Sequence, residues 1–187
     1  MRKSALIAAA ATVSLLSACG EQAVENQAES AAANNAAAAP AAVENSAPPA
    51  APASKEEALK IMHERHEGME QIGKATKAIG AQLKEGEPNV GIIRTNATTI
   101  NDLAAKSANW FPTGTGPDVG KTRAKAEIWQ KYEDFAAKDH NFRVAAQALK
   151  GSADSADVNA IKPAFADLGK ACKACHDPYR AEEKKRD

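Results

Sequence analysis

The segment "GKACKACHDPYR", residues 169–180, holds Cys172, Cys175 and His176. Two thiols three residues apart with an imidazole next to the second can do four kinds of chemistry. They can add to the vinyl groups of a haem while the imidazole ligates its iron, which is the CxxCH attachment pattern of haem c. They can exchange electrons as a dithiol, which expects a βαβ setting. They can join two more ligands around zinc, for which His63, His66 and His140 are the spare imidazoles. They can also close a disulfide, whose loop is too small to stabilise much. On a helix, positions i, i+3 and i+4 share one face, so all three side chains point the same way. That face continues the apolar stripe of Phe165 and Leu168.

Such a face needs a helix to carry it, and the apolar period predicts four. In the first, Leu59, Met62, His66, Met69, Ile72, Thr76, Ile79 and Leu83 recur at steps of three and four, until "KEGEP" at 84–88 stops it. In the second, Asn89 is the N-cap after Pro88, and Val90, Ile93, Ala97, Ile100 and Leu103 form one stripe. "FPTGTGPDVGK", 111–121, is a loop of prolines and glycines. A third helix is expected from about Thr122 to Leu149, with Ile128, Tyr132, Phe135, Phe142 and Leu149 inward and Gly151 ending it. A fourth starts near Ser155 and runs past Arg180, with a bend or late start at Pro163. With no alternating strand pattern in view, these read as an all-α fold, an antiparallel four-helix bundle whose last helix bears the CxxCH face near its C-terminus.

The N-terminus adds a location. Arg2 and Lys3, an apolar run from Ala5 to Leu16, and small residues before Cys19 lay out a secretory signal over 1–18. That run is too short to span a bilayer. Leu16, Ser17, Ala18 and Cys19 resemble a bacterial lipobox, which implies cleavage before Cys19 and its lipidation. Each buried CH₂ of the acyl chains would contribute about 0.8 kcal/mol to anchoring. The alternative is an ordinary cut near Ala18 that leaves a free thiol. Residues 20–54 contain 15 alanines and 4 prolines, with no aromatic residue and no lysine. They cannot bury enough apolar surface to order themselves, so 19–54 reads as the lipidated cysteine and a disordered tether. The domain proper is 55–187, with 22 basic against 20 acidic residues. A net charge of +2 is too small to imply nucleic acid.

Three separate pieces make this domain similar to the cytochrome c′ family. They are CxxCH with "HDPYR", "GPDVGKTRAKAEIW" at 116–129, and "ERHEGMEQIGKA" at 64–75, in that family's order and spacing. The resemblance implies one covalent haem c, with Cys172 and Cys175 as thioether cysteines and His176 as the axial iron ligand. It places Arg65 beside the haem propionates, Met69 on the distal face of the iron, and Arg180 on the proximal side. Ala126, where the family usually has proline, and His66, where a glutamine is common, depart from it.

The resemblance leaves Met69 with two roles. As a sixth ligand it implies a low-spin electron carrier; as a mere cover it implies an open site for a gas such as nitric oxide. Methionine is also a common core filler. The expected protein is a lipid-anchored, exported monohaem cytochrome, not an enzyme. It passes single electrons between periplasmic or membrane redox proteins, with small-gas binding as the alternative and a homodimer in reach. Lys170, Lys173, Arg180 and 184–186 could orient an acidic partner or be ordinary solvated surface. His63 and His66 have no third ligand in view for a second metal, His140 is read as solvated, and the aromatic residues as core and haem-pocket wall.

Overall fold

The computed structural model describes residues 47–182. The signal segment, Cys19, most of the tether and the basic residues at 184–186 lie outside them.

Five helices occur in this stretch, and the described residues contain no strand, only one isolated bridge. Helix α1, Lys55–Gln82, begins at a Ser54 N-cap: Ser54 Oγ accepts from Glu57 N–H at 3.2 Å, and the Glu57 carboxylate reaches back one residue further to accept from Ala53 N–H at 2.8 Å. Helix α2, Val90–Ser107, starts at Asn89 as expected, its side chain accepting from Ile92 N–H at 3.1 Å.

The third expected helix is divided. Residues 122–125 are drawn into extended pairing with the tail of the last helix, through Ala124 and Arg180. A single turn, α3 (Glu127–Gln130), follows, and non-helical Lys131 separates it from α4, Tyr132–Asp154. Gly151 does not end α4. The left-handed residue of the α4–α5 turn is Ala156, at φ 60°. Helix α5, Val158–Tyr179, starts on an Asp157 cap before Pro163, reads through it, and stops at Tyr179 short of Arg180.

The long helices alternate in direction. Ser107, at the end of α2, donates to Asp139 near the start of α4, whereas Arg94, near the start of α2, pairs with Asp154 at the end of α4. The closest packings are α1 on α2, α2 on α4 and α4 on α5, while α1 and α5 make no extended backbone approach. The α1–α5 seam is closed at one end, where a methyl group on Gly80 would stand 3.5 Å from the Phe165 ring. Around that end Ile79, Ile93, Leu149 and Ile161 are fully buried.

The buried stripe of α1 differs from the expected one. It runs through Ala58, Met62, Arg65, Gly68, Ile72, Ala75 and Ile79. Leu59 is 43% exposed, His66 is exposed, and Thr76 and Met69 are half-buried. The helix is therefore turned by about one residue, and a charged side chain and a glycine take core positions.

The residues just before α1 are held to the domain. Pro49 C=O accepts from Thr113 N–H at 3.2 Å, which joins this end of the expected tether to the 111–121 loop.

Candidate haem site

The residues expected to attach haem, Cys172, Cys175 and His176, occupy the last two turns of α5. Cys172 and Cys175 are half-buried, carry no disulfide, and pack with Ala171 and Phe165 against the core. Desolvation raises both thiols, that of Cys175 to about 12, with nearby Asp139 adding to the latter shift. Both are therefore neutral S–H groups at neutral pH. His176 keeps an exposed edge; desolvation and then the positive charges of Arg180 and Arg123 lower its pKa. A neutral imidazole keeps a nitrogen lone pair for a metal, so two neutral thiols and a free-base imidazole on one face suit haem c. No other cysteine or histidine of the described residues joins them in a zinc set.

The opposite wall follows from helix geometry. Gly80 meets Phe165 across the seam, and α1 and α5 run in opposite directions. Eleven residues back along α1 is Met69, and eleven forward along α5 is His176. At 1.5 Å per residue both lie about 16 Å from the closed end, at one level. The same count sets Arg65 level with Arg180. An independent contact agrees, because residues 122–124 touch both: Thr122 Oγ1 is 3.1 Å from Arg65 Nη2, and Ala124 bridges Arg180.

Arg65 is only 4% exposed. Nη1 donates to Trp110 C=O (3.0 Å) and Thr115 Oγ1 (3.3 Å), and Nη2 to Thr115 C=O (3.1 Å) and Thr122 Oγ1 (3.1 Å). The guanidinium also lies over the Phe111 ring at 4.9 Å. All four acceptors are neutral, and burial brings its pKa down to about 10. These bonds leave Nε as the donor for a carboxylate, so the site fits a haem propionate through one nitrogen rather than a fork.

Arg180 is exposed and extended, with its N–H on His176 C=O at 3.0 Å. It lines an open cleft of about 410 Å³ with Arg123, His176, Asp177, Ala181 and Glu182. Lys170 and Lys173 are ion-paired with Asp167 (2.7 Å) and Asp177 (2.6 Å), so the attachment helix is locally neutral at these lysines. His66 faces Glu70 at 3.3 Å and, with Glu67, forms an exposed group on α1, apart from His63. His140 is half-buried rather than fully solvated.

Three further residues shape the site: Trp110, which the sequence reading set among core and pocket wall, Tyr179, on its apolar stripe of the last helix, and Asp139, which escaped it. Trp110 lies so close on Gly68, beside Met69, that a methyl group there would come within 2.4 Å of its ring. Tyr179, buried against Phe135 at 5.4 Å, donates to Asp134. Asp139, beneath Cys175, accepts from Ser107 and from Arg143 Nε at 3.0 Å. A signal for Asp139 existed: Phe135, Asp139, Phe142, Ala146 and Leu149 step by four and three, but a carboxylate was passed over as a core position.

The family profile of cytochrome c′ matches residues 60–180. A cytochrome c′ of Allochromatium vinosum is 37% identical over 121 residues, covering 63% of this chain and 78% of that protein. A solved cytochrome c′ described as having an unusual ligand-controlled dimer dissociation is 34% identical with a TM-score of 0.62, covering 71% of this chain and all of that one. A nitric oxide complex of a variant cytochrome c′ from Alcaligenes xylosoxidans is 28% identical with a TM-score of 0.56, covering 71% of this chain and all of that one. Matched by the family profile over more than half of its length, the chain belongs to the cytochrome c′ family, whose members bind one covalent haem c with its iron.

Proposed function

We propose that this protein is a monohaem electron carrier in which His176 and Met69 would both serve as ligands to the iron. The observation that carries this reading is the common level of Met69 and His176 on the two walls of the α1–α5 seam. When bound, haem c supplies reversible one-electron Fe(III)/Fe(II) chemistry. The chain's own residues do the rest. Cys172 and Cys175 would hold the haem as thioethers, each by addition of its thiol S–H across a vinyl group. His176, kept neutral, presents its lone pair. Met69 offers a thioether, a ligand that favours Fe(II) and raises the reduction potential. Arg65 meets a propionate through Nε and supplies the positive charge that its four neutral acceptors leave uncompensated. Arg180 borders the proximal side. No acid, base or nucleophile is called for.

The location proposed is the periplasmic side of a bacterial membrane. The segment 1–18 directs export, Cys19 carries the lipid, and the tether lets the 55–187 domain reach redox proteins near the membrane. Among the described residues no helix is long and apolar enough to cross a bilayer. Lys170 and Lys173 are paired with Asp167 and Asp177 of their own helix, so partner docking falls to the haem edge. A homodimer is in keeping with the dimer described for a relative.

The second reading, favoured by the nitric oxide complex of a relative, is gas binding in place of Met69. An anaerobic redox titration with and without nitric oxide separates the two. A carrier gives a reversible one-electron curve that stoichiometric nitric oxide leaves in place. A curve displaced by stoichiometric nitric oxide sinks the carrier reading.

A further inference from the structure

Residues 110–125 reach the neighbours of both proposed iron ligands. At their start, Trp110 is seated on Gly68, next to Met69. At their end, Lys125 N–H donates to Tyr179 C=O (3.0 Å) and Ala181 N–H to Arg123 C=O (2.8 Å), while Arg123 Nε also donates to Ala181 C=O (3.0 Å). These bonds hold the chain just beyond His176. Between the two ends, three loop residues 45 to 57 positions from Arg65 receive its four hydrogen bonds. Thr115, itself fully buried, also donates to Pro112 C=O at 2.8 Å.

A buried cation is costly unless its hydrogen bonds are made. Here they are made to a loop whose anchors at Phe111 and Pro112, the C=O groups that accept from Trp129 Nε1 (3.2 and 2.9 Å) and the Phe111 ring on Phe135, hold it to α3 and α4 rather than to α1. Gly114, at φ 79°, gives that loop its left-handed corner. A residue serving the cofactor alone would have no need to spread its terminal nitrogens over Trp110, Thr115 and Thr122.

We propose that Arg65 is a positioning residue: it latches residues 110–125 onto α1, and the latched loop sets how far α1 stands from the end of α5. This rests on the reading of those two faces as the haem site. On this account Met69 and His176 keep their separation because one loop grips the residue beside the first and the residues after the second.

The test uses the full-length holoprotein and two variants, Arg65→Lys and Thr122→Val. The second keeps the cation and removes Thr122 Oγ1, which accepts both from Arg65 Nη2 and from Ala124 N–H, so in it the resonance spectrum, rather than cleavage alone, reads the latch if the first folds poorly. Trypsin cleavage after Arg123 and Lys125, followed by mass spectrometry, reads loop release. Ferric electron paramagnetic resonance reads the haem ligands. Thr122→Val should speed cleavage at least about tenfold, the value of one hydrogen bond to a charged group, and Arg65→Lys by more. Both should add a second set of g-values. Unchanged cleavage in both variants, or faster cleavage with a wild-type resonance spectrum, overturns the proposal. A failure of the haem reading would show separately, as wild-type protein without covalent haem.

Discussion

The two ends of the α1–α5 seam are built on different principles. At the closed end the helices meet through a glycine and an aromatic ring, Gly80 against Phe165, and around them Ile79, Ile93, Leu149 and Ile161 are fully buried. At the other end α1 carries Arg65, Gly68 and Met69, α5 carries Cys172, Cys175 and His176, and a loop rather than direct packing ties the walls together. The closed end gains stability from apolar area. The open end gives up that area for a cofactor and restores order with a buried cation, a tryptophan on a glycine, and a short extended pair.

That contrast is most sharply broken by removing the covalent anchors. Cys172→Ala, Cys175→Ala should abolish haem staining on a denaturing gel; residual stain at wild-type intensity would detach the cofactor from α5. Next is Leu149→Ala at the closed end. A fully buried leucine should cost about 2–5 kcal/mol in urea unfolding while the visible spectrum of the holoprotein stays unchanged, since the haem wall does not depend on it.

The same small substitution on one helix should then have opposite signs. Gly68→Ala forces its methyl group to 2.4 Å from Trp110 and should destabilise by about 1–3 kcal/mol. Gly80→Ala meets Phe165 at an ordinary 3.5 Å and should stabilise by up to about 1 kcal/mol. Equal effects in thermal melts would mean that the two ends are packed alike.

The smallest effect concerns Asp139, the carboxylate beneath Cys175. Burial raises its pKa above 3.8, against the pull of its Ser107 and Arg143 hydrogen bonds. With a raised folded value, the native state holds the proton more tightly than the unfolded chain. The contribution to stability is complete below pH 3.8 and is lost as pH rises through the folded pKa. Asp139→Asn should therefore gain in urea midpoint relative to wild type as pH rises across that interval. A constant difference would show that the carboxylate keeps its ordinary pKa.

How far the sequence revealed each region depends on the range of the interactions involved. That Cys172, Cys175 and His176 share one helix face was legible residue by residue, because i, i+3 and i+4 are neighbours on any helix. The Asn89 cap and the bundle itself were legible for the same local reason. The α1 stripe was misjudged by one residue because Leu59, His66 and Met69 look more like core than Arg65 and Gly68 do. What buries those two is Trp110, Thr115 and Thr122, some 42 to 57 positions away, and no local period encodes them. The third helix failed likewise, since its first residues pair with the chain after Tyr179. Ala156 held the left-handed turn where glycine was expected, a conformation that costs alanine about 1 kcal/mol.

The central claim is that Met69 faces His176 across the haem, and the reduced-state absorption spectrum tests it most directly. The account predicts a sharp low-spin α band in the wild-type protein that disappears in Met69→Leu. A broad high-spin spectrum in the wild type, unaltered by that substitution, would contradict it.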